Sequence, residues 1–120
     1  MKNITHYTDI KSYTTKDGSI IRELMHPDQN NNKNQSLAEA TIPVGVKTLL
    51  HQHHKSEELY HITQGKGLMT LNDKQFEVNV GDTICITPNS AHCIENTGNE
   101  ELKILCCCSP AYQHNDTSLL

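Results

Sequence analysis

The chain has 120 residues, of which 35% are hydrophobic and 20% charged, and its formal net charge is −4. This length suits one domain with one modest core. The weakly acidic balance, with Arg22 as the single arginine, argues against nucleic acid as the main partner. No apolar run approaches the ~20 residues that a membrane-spanning helix needs.

The amino terminus and the cysteines bear on cellular location. Residues 1–10, MKNITHYTDI, lack the apolar segment of a secretory signal peptide, so we expect a cytoplasmic protein. In that compartment the five cysteines are expected as reduced thiols, and their odd number fits poorly with a disulfide framework.

Residues 1–35 predict a hairpin or an extended arm. A turn signal lies at Asp17-Gly18, and residues 21–25 predict a short strand after it. The polar run 29–35 has no means of burying itself and predicts a solvated loop.

Residues 36–109 carry a dense two-residue alternation of hydrophobic and polar positions, broken by turn signals. A bend or a sheet edge is expected near Pro43. The strands predicted after it are 47–53, 58–63, 68–71, 75–80, 83–87, 91–95 and 102–108. Many short strands without a sustained helical period predict an all-β sandwich or barrel in a single domain, 1–120, with 110–120 as a terminal arm.

A group of histidines marks the candidate site. Side chains two apart on a strand point the same way, so His51 and His53 are expected side by side on one face. Glu58 opens the following predicted strand, and His92 is the candidate for a fourth ligand from a distant stretch. Imidazoles and a carboxylate that meet across paired strands could hold a metal ion. Glu57 is the rival of Glu58, because opposite strand faces admit only one of them.

Two stretches of the chain resemble the paired motifs of the cupin superfamily. The matching residues are Gly45, His51, His53, Glu58 and Gly65 in the first motif and Gly81, Asp82, Pro88, His92 and Asn96 in the second. Two departures are visible: Thr87 replaces a proline, and Asn89 replaces the glycine of a tight turn, where asparagine tolerates positive φ nearly as well. The resemblance covers about residues 36–109, and the spacing to Gly65 favours Glu58 over Glu57.

The resemblance implies a cupin jelly-roll barrel of six to eight antiparallel strands with a metal ion in its mouth. It maps the ligands to His51, His53, Glu58 and His92, a donor set that suits one divalent ion of Mn, Fe, Co, Ni or Zn. Less specifically, the chain ends resemble those of small single-domain cupins often labelled mannose-6-phosphate-isomerase-like. Small cupins commonly dimerise by exchanging N-terminal strands, so a homodimer is expected.

Three further residues are candidates for a role at this site. Tyr60 should point into the barrel, either as a phenol that hydrogen-bonds substrate or acts as an acid, or as a buried aromatic. Cys106 or Cys108 could line the pocket, although the cysteines of the run 106–108 are expected chiefly as small hydrophobes. Arg22 could reach the pocket rim and hold a substrate anion, the alternative being a surface position.

Three functions are compatible with this site. The favoured one is a Lewis-acid enzyme of the isomerase, lyase or cyclase type that acts on a small oxygenated organic substrate. The alternatives are an iron-dependent dioxygenase and a non-catalytic module that binds a small ligand. The expected partners are a small-molecule substrate and a second copy of the chain, with no nucleic acid and no membrane.

Overall fold

Two antiparallel sheets contain the strands of residues 3–120, the part of the chain that this computed structural model describes. With strands numbered in chain order, the six-stranded sheet has the order β1 (Tyr13–Thr14), β2 (Ile20–Met25), β3 (Ser36–Ile42), β10 (Leu102–Ser109), β5 (Glu57–Gln64) and β8 (Thr83–Ile86). The five-stranded sheet has the order β11 (Thr117–Leu119), β4 (His51–His53), β9 (His92–Asn96), β6 (Gly67–Leu71) and β7 (Lys74–Val78). Short 3₁₀ turns lie at Tyr7–Asp9 and His114–Asp116. Within residues 3–120 no helix has the length and apolar character needed to span a membrane.

The core lies between the two facing sheets, because the strands alternate buried and more exposed residues. On β10 the side chains of Leu102, Ile104 and Cys106 are buried, while the residues between them are partly exposed. They pack in one cluster with residues of the other sheet such as Met69 and Ile94. The predicted all-β antiparallel jelly roll is therefore confirmed, as two facing sheets rather than one closed sheet.

Both chain ends join the sheets. The N-terminal segment forms β1 and β2, and β2 pairs with β3 of the same chain. Met1 and Lys2 of the predicted arm lie outside the described residues. The predicted terminal arm 110–120 contributes β11, which pairs with β4 beside the histidines. Exchange of N-terminal strands in a homodimer stays a prediction.

The strand predicted over residues 47–53 is shorter than expected. β4 covers only His51–His53 and is preceded by an isolated bridge at Lys47. Between them the backbone N–H of Leu49 donates to the carbonyl oxygen of Asp17 at 2.8 Å rather than to a neighbouring strand. The chain therefore leaves the sheet just before the first histidine and contacts the turn between β1 and β2.

Two asparagines occupy turn positions that require a left-handed backbone. Asn72, in the turn between β6 and β7, has φ 54°, and Asn89, which stands where the cupin motif has glycine, has φ 64°. Asparagine visits this region more readily than most non-glycine residues. The replacement of the motif glycine therefore leaves the turn before β9 intact, as expected.

A close approach between strands requires glycine at position 67, and this gives the first prediction. A Cβ at Gly67 would lie 2.6 Å from the carbonyl oxygen of Glu95 and 3.1 Å from Cδ2 of Leu102. Because the nearer atom belongs to the backbone, Gly67→Ala is expected to lower the free energy of unfolding by about 1–3 kcal/mol, measured by urea denaturation. Gly98→Ala is the matched control, since its Cβ would meet the flexible side chain of Lys66 at 3.3 Å. Equal stability of the two variants would contradict this explanation.

Candidate metal centre

Three histidine side chains converge between the sheets. His51 and His53 lie on β4 with the spacing that places them on one face, and His92 on β9 pairs directly with His51. One ring nitrogen from each residue lies within 4.8 Å of the corresponding nitrogens of the other two, and all three side chains are buried. The structure therefore brings together three of the predicted ligands.

The carboxylate of Glu58 joins this cluster from β5. Its Oε1 lies 3.2 Å from Nε2 of His53 and 3.5 Å from Nε2 of His92. The Glu58 side chain is buried, whereas Glu57 is exposed on the opposite face of the strand. Burial by itself raises the pKa of the Glu58 carboxyl, but His53 and His92, when a proton on Nε2 lets each ring donate to the carboxylate and attract it, outweigh burial and lower the pKa to about 2. Glu58 is therefore an anion at neutral pH.

Hydrogen bonds on the outer side of the rings orient His51 and His92. Nδ1 of His51 lies 2.8 Å from the carbonyl oxygen of Leu49, and Nδ1 of His92 lies 2.8 Å from that of Ser90. Because a carbonyl oxygen only accepts, each Nδ1 carries the hydrogen, and the Nε2 lone pair of each neutral ring points into the cluster. The Nε2 atom of His92 is buried and makes no hydrogen bond within residues 3–120, which is unusual for a buried polar atom.

The C-terminal strand orients the third ring. Nδ1 of His53 lies 2.9 Å from Oγ1 of Thr117 on β11, and this hydroxyl donates its own hydrogen to the carbonyl oxygen of Gln113 at 3.1 Å. The hydroxyl must then accept from Nδ1–H, so His53 also directs an Nε2 lone pair inward. The 3.2 Å contact between this atom and Glu58 joins two acceptors, which is favourable only with a proton or a cation between them.

This donor set fits a divalent transition metal ion. Three neutral imidazoles and one carboxylate suit Mn, Fe, Co, Ni or Zn, and a protein group already holds the outer nitrogen of each ring, as is usual for metal-bound histidines. The donors lie on strands rather than on loops, which holds them rigidly. The residues could therefore bind one metal ion of this series.

The cavity beside the imidazoles is lined by Tyr60 and Cys106, the two predicted candidates for a role at this site, and by Cys108. Tyr60 is buried, and its ring centre lies 6.1 Å from that of His92. Burial, and then the negative charge of Glu58, raise the pKa of both the Tyr60 hydroxyl and the Cys106 thiol. Both groups keep their protons at neutral pH, so Cys106 presents a neutral thiol to the cavity.

Cys108 makes a contact that sequence reasoning did not predict. It lies directly opposite Glu58 in the pairing of β10 with β5, and its thiol donates to Oε2 of Glu58 at 3.3 Å. Burial, and then the charge of Glu58, raise the pKa of this thiol, which keeps it a donor. One carboxylate oxygen is thus held by Cys108 while the other faces the histidines. Only the register between the two strands reveals this contact, and hydrophobic alternation does not provide that register.

Of the two positions considered for Arg22, the structure shows the one away from the cavity. Its neighbours on β2, Ile21 and Glu23, line the cavity. The two-residue period of the strand turns Arg22 to the other face, where its guanidinium lies 5.2 Å from the centre of the Tyr7 ring. There it makes a cation–π contact on the outside of the sheet rather than a contact with a ligand in the cavity.

Residues from both chain ends complete the cavity. The turn between β1 and β2 contributes Lys16 and Asp17, and the C-terminal segment contributes Tyr112 and Thr117. None of these lies in a recognisable motif, so only the three-dimensional arrangement reveals them. The cavity volume is about 50 Å³, well below the roughly 300–1,000 Å³ of typical ligand pockets. The site therefore suits a small molecule.

Comparisons with known proteins identify the family and the fold. The chain is 60% identical over 116 residues to an uncharacterized protein of Methanocaldococcus jannaschii, covering 97% of this chain and 93% of that protein. It is 34% identical over 86 residues to the oxalate-binding protein of Thermotoga maritima, covering 72% of this chain and 67% of that protein. Its structure is similar in fold to that of Pac13, a nucleoside dehydratase from Streptomyces, with a TM-score of 0.82 at 13% identity and coverage of 100% of this chain and 92% of the other. Residues 38–108 match the cupin domain model, and the chain therefore belongs to the cupin family.

Proposed function

We propose that this cupin is an enzyme in which His51, His53, Glu58 and His92 bind one divalent transition metal ion. The observation that supports the proposal is the convergence of three inward-facing Nε2 lone pairs with a carboxylate that lies 3.2 and 3.5 Å from two of them. Such a group of acceptors is mutually repulsive when empty and is stabilised by a cation. When bound, the ion would supply Lewis-acid polarisation of a substrate oxygen.

We infer that the substrate is a small oxygenated organic molecule and that the reaction is an isomerisation, an elimination or a cyclisation. Ile21, Ala38 and Ala40 form an apolar wall of the cavity that excludes water from a bound ligand. Tyr60 keeps its proton because burial raises its pKa. Its hydroxyl therefore donates a hydrogen bond or a proton to a substrate oxygen, and does not serve as a base at neutral pH.

A non-catalytic ligand-binding function is the second candidate. It is favoured by the similarity to the protein of Thermotoga maritima whose name describes oxalate binding. In this case the same four residues hold the metal ion, and a small ligand occupies the cavity without chemical change. The two candidates share the metal centre and differ only in what happens to the bound molecule.

The metal centre is tested by comparing the metal content of alanine variants at two adjacent histidines. We expect wild-type protein to hold one ion per chain and His53→Ala to hold little, measured by elemental analysis after metal loading and desalting. His54 is exposed and contacts Asn89 and Ser118 outside the cavity, so His54→Ala should keep the full metal content. Equal metal content in the two variants, or none in the wild type, would rule out this centre.

A turnover assay distinguishes the two candidate functions, an enzyme and a non-catalytic binding protein. Metal-loaded protein would be incubated with small hydroxy acids, keto acids and sugars, and the products followed by NMR. For a compound that is converted, Tyr60→Phe is expected to lower turnover by about 10²–10⁴-fold, the usual loss for a general acid, with unchanged metal content. Full activity of Tyr60→Phe would refute the role of the Tyr60 hydroxyl as a donor to substrate.

Binding without conversion would favour the second candidate, and dioxygen uptake by the iron-loaded protein would indicate a dioxygenase.

The hydroxyl that accepts from His53 gives a further prediction. Thr117→Val keeps the shape of the side chain but removes the acceptor for Nδ1–H, so affinity for the metal ion should fall about 10- to 100-fold, as is typical when such a supporting group is lost. The measurement is competition with a chromophoric chelator. Ser118→Ala, on the same strand but bonded to His54, is the control and should bind like wild type. An unchanged affinity in Thr117→Val would show that this hydrogen bond does not support the centre.

A further inference from the structure

Asp17 is a buried carboxylate next to the histidines that no cupin motif includes. It lies in the turn between β1 and β2, is 7% exposed and lines the same cavity as His51. Its Oδ1 atom accepts from the backbone N–H of Ser19 at 2.9 Å and from the Ser19 hydroxyl at 2.6 Å. Its carbonyl oxygen accepts from the N–H of Leu49 at 2.8 Å. The turn is thereby tied to the segment that leads into β4.

The second carboxylate oxygen of Asp17 faces a ring nitrogen. Oδ2 lies 3.6 Å from Nε2 of His51, and Nδ1 of this ring is the donor to the carbonyl oxygen of Leu49. In the neutral ring Nε2 is therefore an acceptor, so that two acceptors face each other. Glu58 has the same relation to His53 on the other side of the cluster. The histidines thus lie between two carboxylates.

We propose that Asp17 is a further protein contact of the metal centre, and that metal binding fixes the turn between β1 and β2 over the cavity. This inference rests on the proposed function, because it requires a metal ion at the histidines. The separation of 3.6 Å between Oδ2 and Nε2 of His51 is shorter than the sum of two metal–ligand bonds, roughly 4.2 Å. The distance within this pair therefore permits one ion to contact both atoms, while the tighter group among the described residues, with every donor atom within 4.8 Å of the others, consists of the three histidines.

The balance of charge at the site also supports Asp17 as a contact of the metal ion. With three neutral imidazoles, the carboxylates of Asp17 and Glu58 together balance the two positive charges of a divalent ion, and a buried site favours such a balance. The adjacent Lys16 forms no ion pair with Asp17 among the described residues, and its Nζ donates instead to the carbonyl oxygens of His114 and Thr117 at 2.7 and 3.0 Å. The hydrogen bonds within the turn use only Oδ1, which leaves Oδ2 to face Nε2 of His51.

The test uses cobalt(II) as the probe and the Asp17→Asn variant. Asparagine can still accept from the N–H of Ser19, so the turn is retained while the charge is lost. We expect the affinity for cobalt to fall about 10- to 100-fold and the visible absorption of the bound ion to change. Asp82→Asn is the matched control, because Asp82 accepts from a backbone N–H in another turn and should bind cobalt like wild type.

Amide hydrogen exchange of the wild-type chain provides a measurement that needs no variant. Cobalt should slow exchange in residues 15–19 and leave the turn at Asn72 unchanged, and Asp17→Asn should lose this protection. If Asp17→Asn does not fold, the absence of cobalt-dependent protection at residues 15–19 in the wild type overturns the inference.

The outcomes distinguish this inference from the proposed function. Cobalt binding by the wild type, with an affinity within twofold and the same spectrum in Asp17→Asn, overturns the role of Asp17 and leaves the four-residue centre standing. Failure of the wild type to bind cobalt or any other ion of the series overturns both.

Discussion

The site depends on hydrogen bonds made on the outer side of its histidine rings. The carbonyl oxygens of Leu49 and Ser90 and the hydroxyl of Thr117 accept the three Nδ1 hydrogens, so the rings cannot turn and their Nε2 atoms face one another. Holding several acceptors together in a buried place is electrostatically unfavourable. The two facing sheets supply the rigidity that maintains the arrangement, and a cation at its centre would convert the repulsion into stabilisation. Metal binding and folding stability are therefore expected to be linked in this protein.

Both chain ends take part in the site, although the cupin motifs lie between them. The C-terminal strand provides Thr117, and the turn between β1 and β2 provides Asp17. Lys16 joins the two ends directly, through bonds from its Nζ to carbonyl oxygens of the C-terminal segment. The candidate metal ligands thus come from the family motifs, while the walls of a cavity of about 50 Å³ come largely from segments outside them. The choice of a bound molecule is expected to depend on those walls, since one fold can host many functions.

The strands and the convergent side chains could be predicted because both follow from local rules. A two-residue period decides which side chains share a face, and the motif spacing places His53 and Glu58. The remaining parts of the site depend on pairing between distant segments. Cys108 reaches the carboxylate because of the register between β10 and β5, and Thr117 lies opposite His53 because the tail returns to β4. The position of Arg22 could not be decided for a different reason: the sparse hydrophobic pattern of its strand does not reveal which face is inside.

The most direct measurement is an anomalous difference map from crystals of the metal-loaded protein, recorded at the absorption edge of the bound metal. The arrangement of lone pairs predicts one peak roughly 2.0–2.2 Å from Nε2 of His51, His53 and His92 and from a carboxylate oxygen of Glu58. A peak elsewhere on the molecule, or an empty histidine cluster at a saturating metal concentration, would contradict the metal centre on which the proposed function rests.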